Sequence, residues 1–256
     1  MTEAQKLLRQ VPPVLRARDF RLYTQGGGRL VDLWQAGGAA VLGHTPPGVL
    51  REAKNAAERG LCSAFPHPME GRFIKALARL FPNALFRVYA GEGVVHGLSA
   101  QIWRPFLQDA DPFALPKGAS LVKPVLPWAL APAVLVLAEP PESFGGIPPS
   151  DCVAPATLAG ATRSVYDLIA AESTRGKADF PKIREALEDS PWRRSGIYLF
   201  YSEPFDDETY AGLFQRFLEG GFLLPPDRLL PAILPGILSP GEETKLARLL
   251  SSSPDG

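Results

Sequence analysis

Ten of the chain's 27 prolines fall between Ile102 and Ser150. Proline removes a backbone donor and clashes with the preceding helical turn, so this stretch excludes any long helix. The clearest element inside it is Ala133-Val-Leu-Val-Leu-Ala138, a continuous apolar run that reads as a buried strand. It passes into Glu139-Pro140-Pro141 and then a loop, Phe144-Gly-Gly-Ile-Pro-Pro149. The helices of this fold must therefore lie mainly on either side of the middle.

Both flanks carry such signals. Residues 1–24 read as one or two short amphipathic helices broken at Pro12-Pro13. Gly26-Gly27-Gly28 marks a turn into a strand from Arg29 to Trp34, and 37–43 suits a close-packed loop. Thr45 is expected to cap a helix with Pro46 or Pro47 in its first turn, stopping at Gly60. Phe73, Ile74, Leu77, Leu80 and Phe81 share one face of a helix from Met69 to Phe81. Leu85 to Ala90 is strand-like and ends in Gly91-Glu92-Gly93, with a short helix near Val94.

The last third is as regular. A helix is expected from Pro155 to Ala171, and a second with Asp179 as its cap and Pro181 near its start. Gly196 to Tyr201 reads as a strand. Asp206 opens a helix bearing Tyr210, Leu213, Phe214 and Phe217 and ending at Gly220-Gly221. Short strands follow near 222–224 and 231–234. Ser239-Pro-Gly-Glu242 is a capping box for a final helix. Strands alternating with helices indicate an α/β or α+β architecture.

Charge and cysteine content narrow the function classes. The chain carries 27 Lys+Arg against 27 Asp+Glu, so its formal charge is zero, which argues against a general nucleic-acid binder. Two cysteines, Cys62 and Cys152, make no disulfide framework and fit a reducing cytosol. The N-terminus has no apolar core of a signal peptide. The longest apolar stretch, 124–139, is broken by Pro127 and Pro132 and falls short of the ~18 residues of a membrane helix. The expectation is a cytoplasmic protein without a membrane partner. No His, Cys and carboxylate set has metal-ligand spacing, and no G-x-S-x-G nucleophile motif occurs.

The order of the pieces resembles a known family. Gly27-Gly-Arg-Leu-Val-Asp-Leu-Trp34, then Gly43-His44-Thr-Pro46, then the helix to Gly60 is similar to the N-terminal part of class III aminotransferases, above all the glutamate-1-semialdehyde aminomutase group. The 66–81 helix and 86–90 strand resemble the segment before that family's phosphate-binding turn. Val134 to Pro140, with Gly145-Gly146 behind it, looks like the family's Glu-Pro strand and loop, and 210–226 like its C-terminal helix and strand. The resemblance implies a reduced fold-type-I pyridoxal-phosphate transferase. A small α+β domain would draw on both termini (1–60 and 176–256), and 61–175 would be a truncated remnant of the large domain.

The same resemblance places the cofactor. Gly91, Glu92 and Gly93 stand where the family has its phosphate turn and His96 lies near it, while Glu139 ends a buried strand and belongs to the segment like the family's Glu-Pro strand. A Gly-rich strand-to-helix turn offers N–H groups to a phosphate, but a carboxylate at Glu92 works against that unless it turns away. Schiff-base chemistry needs a lysine. Of eight lysines, the loop residues Lys123 and Lys177 are the candidates, and neither has the family's flanking pattern. No Asp-Glu pair on a strand follows Glu139 to supply the family's Asp for the pyridine nitrogen. The resemblance thus implies a pseudoenzyme, a binding, scaffolding or regulatory subunit. It would be a homodimer or pair with a complete aminotransferase paralogue, and would bind pyridoxal phosphate weakly or not at all. The alternatives are an active transaminase or aminomutase with a relocated lysine, and a small-molecule binding module using a cleft near Gly91 and Glu139. His44 is expected to be a hydrogen-bonded part of its loop, and His67 to order a turn.

Overall fold

The computed structural model describes residues 1–95, 100–108, 111–124, 126–128, 131–138, 147–175, 178–202 and 206–252. The first elements are α1 (Glu3–Leu8), β1 (Val14–Arg18), β2 (Arg21–Thr24) and β3 (Arg29–Asp32). Then come α2 (Pro47–Ala57), α3 (Met69–Leu80), β4 (Leu85–Tyr89), β5 (Gln101–Ile102), β6 (Ala119–Val122), β7 (Ala133–Leu137) and α4 (Pro155–Ala170). The chain ends with α5 (Glu172–Arg175), α6 (Pro181–Ala186), β8 (Trp192–Ser195), β9 (Tyr198–Tyr201), α7 (Asp207–Glu219), β10 (Phe222–Leu223), β11 (Ala232–Ile233) and α8 (Pro240–Ser251). They form two units: Met1–Thr45 with Ser173–Gly256, and Pro46–Glu172.

In the unit built from both termini, β1, β2 and β3 form an antiparallel meander, and β10 adds to β3 in parallel. Val31 pairs with Phe222, so the first strands and the last third share one sheet. Gly26 and Gly27 both have positive φ, 86° and 82°, which is why the β2–β3 turn takes glycines. A second sheet runs β11-β9-β8, all antiparallel. Leu33, Phe214, Phe217, Phe222, Leu246 and Leu250 make its shared core. The Ser239 capping box is formed, with Pro240 in the first turn of α8.

The middle unit is a four-stranded sheet, β4-β7-β6-β5. All five residues of β7 are buried, which accounts for its unbroken apolar sequence. Helix α4 packs against both α2 and α3. Phe73, Ala76 and Leu77 on α3 are fully or almost fully buried, as their spacing predicts.

Several expectations are corrected. Only α1 is helical in the first 24 residues, and the chain after Pro13 forms the β1–β2 hairpin. Four of five β1 residues are exposed, so this edge strand lacks the alternation that reveals a half-buried one. Thr45 does not cap α2, where Pro46 stands at the N-cap with no side-chain bond. Asp179 does not cap α6 either, because its two oxygens bind the Arg184 guanidinium at 2.8 and 2.9 Å.

Candidate functional site

The antiparallel direction of β7 decides which residues meet. Val88 of β4 and Val122 of β6 both stand opposite Val134, and Leu85 and Ala119 both stand opposite Leu137. The C-terminal ends of β4 and β6 therefore share one edge of the sheet, together with the start of β7. The end of β7 lies at the other edge. Gly91–Gly93 leave from the first edge and the chain toward Glu139 leaves from the second. The expected cleft near Gly91 and Glu139 draws on the rule that ligands gather at carboxyl ends of parallel strands, whereas β4 and β7 are antiparallel. Glu139, His96 and Lys177 themselves lie outside the described residues.

At the first edge, β4 passes through Ala90 and Gly91 into a 3-10 turn, Glu92–Val95. Lys123, just beyond β6, reaches across the start of β7. Its Nζ lies 2.9 Å from Glu92 Oε1. The register thus brings together two of the expected site residues from opposite sides of the central strand. The lysine is 33% and the glutamate 43% exposed, so the pair adds only about 0–1 kcal/mol of stability.

Residues 148–151 cover the free edge of β4. The Ser150 hydroxyl accepts from Val88 N–H at 3.1 Å, Asp151 N–H donates to the Val88 carbonyl at 2.8 Å, and Asp151 Oδ2 accepts from Ala90 N–H at 3.0 Å. Burial raises the Tyr89 phenol above its ordinary value, and its hydroxyl donates to the Pro148 carbonyl at 2.8 Å. Pyridoxal phosphate needs free N–H donors and positive charge for its phosphate, and a free amine for its aldehyde. Here a carboxylate already takes the Ala90 N–H, a second carboxylate sits on the turn, and the nearby lysine is engaged by it. Among the described residues this donor set does not fit the cofactor. No cluster of three or more His, Cys, Asp or Glu suited to a metal ion occurs among them either.

The unit built from both termini holds a polar network that sequence reasoning missed. Asp32 is almost fully buried at the end of β3. Its Oδ1 accepts from the Trp34 and Gln35 N–H groups at 2.8 and 2.9 Å, and its Oδ2 lies 2.7 Å from His44 Nε2. These bonds hold a reversal in which residues 35–38 all have positive φ, including the non-glycines Gln35 and Ala36. Gln35 donates to the Ile233 carbonyl at 3.0 Å. Arg175 donates to the Val41 carbonyl at 2.9 Å and to the Leu234 carbonyl, and lies over the Phe20 ring. Desolvation pushes its guanidinium down to about 10. His44 is hydrogen-bonded within its loop, and His67 Nδ1 accepts from Met69 N–H at 3.1 Å in a turn. The signal in the sequence that could have found part of it is Asp32 at a strand end with His44 twelve residues on. Nothing local marks Arg175, which arrives from 134 residues away.

No family model matches the chain. It is 26% identical to an uncharacterized protein of Treponema pallidum over 90% of this chain and 91% of that one. A stretch of 70 residues, 27% of this chain and 16% of the relative, is 33% identical to a glutamate-1-semialdehyde 2,1-aminomutase of Sorangium cellulosum. The structure is similar to the ornithine δ-aminotransferase of Plasmodium falciparum, with a TM-score of 0.67 at 12% identity, covering 98% of this chain and 97% of that one. The likeness to aminotransferases shows the fold. It is the mixed α/β fold of pyridoxal-phosphate-dependent transferases, in shortened form. No helix among the described residues is long and apolar enough to cross a membrane.

Proposed function

We propose that the chain is a degenerate relative of the class III aminotransferases that no longer forms a Schiff base. It acts as a binding, scaffolding or regulatory subunit, either as a homodimer or paired with a complete aminotransferase paralogue. Its small domain takes both terminal segments, and the middle is a remnant of the large domain.

The observation that carries this reading is the Lys123–Glu92 ion pair at 2.9 Å. Glu92 belongs to the turn that the family resemblance reads as the phosphate turn, with Asp151 beside it on Ala90. Two carboxylates at one turn repel a phosphate dianion, and an amine bound to one of them is not offered to an aldehyde. The second reading, an active enzyme with Lys123 or Lys177 relocated into the role, draws on the same placement of Lys123. The two separate on a visible absorption titration of the purified protein with pyridoxal phosphate. The expected result is the spectrum of the free cofactor at every protein concentration. A new, saturable visible band supports the second reading.

A further inference from the structure

A cavity of about 300 Å³ opens in the unit built from both termini, between the β8–β9 hairpin and the 224–232 loop. This is within the usual size range of small-molecule pockets, which are mostly apolar with a few placed polar groups. Its walls include Trp192, Tyr201, Leu224 and Leu230. Trp192 and Tyr201 meet edge to face, with centroids 5.2 Å apart, so this wall is rigid.

Two features set the chemistry. Arg228 borders the cavity, and its Nε is anchored on Asp207 Oδ1 at 2.7 Å. That bond fixes the guanidinium plane while its two terminal nitrogens make no hydrogen bond among the described residues. A guanidinium held in this way presents a planar fork that matches a carboxylate. The second feature is Trp192, 5% exposed, whose indole N–H is buried and has no acceptor among the described residues. That nitrogen is shut off from the cavity, so Trp192 offers an occupant the apolar face of its ring. Tyr210, also on the wall, is already committed through its hydroxyl to the Pro225 carbonyl at 2.6 Å.

We propose that this cavity binds a small aromatic or branched-chain carboxylate, with the carboxylate on Arg228 and the apolar body against Trp192, Leu224 and Leu230. The cavity is built from residues of the unit formed by both termini and does not depend on the reading of the cofactor turn.

The test uses the full chain and 3-phenylpropanoate as probe, with 3-phenylpropanamide as its neutral match. Binding is read by thermal shift and by the indole N–H resonances of the four tryptophans in a ¹⁵N-labelled sample, with Trp192 assigned from W192F. The carboxylate is expected to bind saturably with a Kd on the order of 1 mM, raising the melting temperature and moving the Trp192 resonance most. The amide is expected to bind at least tenfold more weakly, and R228Q to lose a similar factor. L230W, which fills the cavity and keeps the Arg228 side chain, is expected to abolish binding and covers the case in which R228Q fails to fold. The proposal is overturned by no saturable binding, by equal affinity for acid and amide, or by shifts spread evenly over all four indoles.

Discussion

Arg175 is the residue whose surroundings differ most from what its type prefers. A guanidinium 5% exposed would ordinarily face a carboxylate, yet its bonded partners are two carbonyls and, at 3.5 Å, the Gln35 amide oxygen. Its Nη1 has no partner among the described residues. The side chain ties the 35–41 loop to Leu234, just after β11, which no apolar residue can do through hydrogen bonds. R175A leaves two buried carbonyls unpaired and opens a cavity, so it should cost about 4 kcal/mol in urea unfolding followed by far-UV circular dichroism. Asp32 acts at the same scale from the other side of the loop. D32A removes an acceptor for two backbone N–H groups and for His44, and should cost about 3 kcal/mol in the same measurement. A cost below about 1 kcal/mol for either variant would show that the loop holds itself without them.

At the scale of elements, Glu242 joins three of them. It closes the capping box of α8 by accepting from Ser239 N–H at 2.8 Å, and binds Arg21 of β2 at 2.7 and 3.0 Å and Arg29 of β3 at 3.1 Å. Burial works to raise its carboxyl, but the bonds from Arg21 and Ser239 outweigh that and hold it at about 2, below the ordinary 4.5. A carboxylate depressed in the folded state contributes stability that is fully present above the unfolded value. That stability is lost as pH falls from about 4.5 toward about 2. E242Q should therefore cost about 3 kcal/mol near neutral pH and much less near pH 2, measured as urea midpoints across that window. A constant difference between variant and parent would remove Glu242 from the account of acid stability. The elements joined here differ in how far they could be read in advance. Helices α3 and α7 follow from apolar spacing, β7 from its unbroken run, and α8 from Ser239 and Glu242. The hairpin strands β1 and β8 were invisible, because an exposed Val-Leu-Arg-Ala-Arg and a Trp-Arg-Arg-Ser show no alternation. Strand β6 is only four residues long and buried throughout, so it has no period to detect. The expected caps are absent because Pro46 takes the N-cap position of α2 in place of Thr45, and because the Arg184 guanidinium holds the Asp179 carboxylate while Glu243 accepts from Lys182 N–H in α6.

At the scale of the whole molecule, the residues of the candidate site were legible as types but not as an arrangement. A pleated strand reads the same in either direction, so nothing in Ala133–Leu137 reveals that β7 runs against both of its neighbours. That direction separates the turn at Gly91 from the edge toward Glu139, and it brings Lys123 within reach of Glu92. The fold of the pyridoxal-phosphate-dependent transferases is kept across the chain, while the turn after β4 carries the Glu92 carboxylate and has Asp151 bonded to Ala90. Scarce lysine then carries meaning, since the one described at this edge is engaged in an ion pair. The most direct measurement is the intact mass of the full chain after incubation with pyridoxal phosphate and borohydride reduction. The predicted result is the unmodified mass. A single stoichiometric adduct that disappears in K123A or K177A would contradict it.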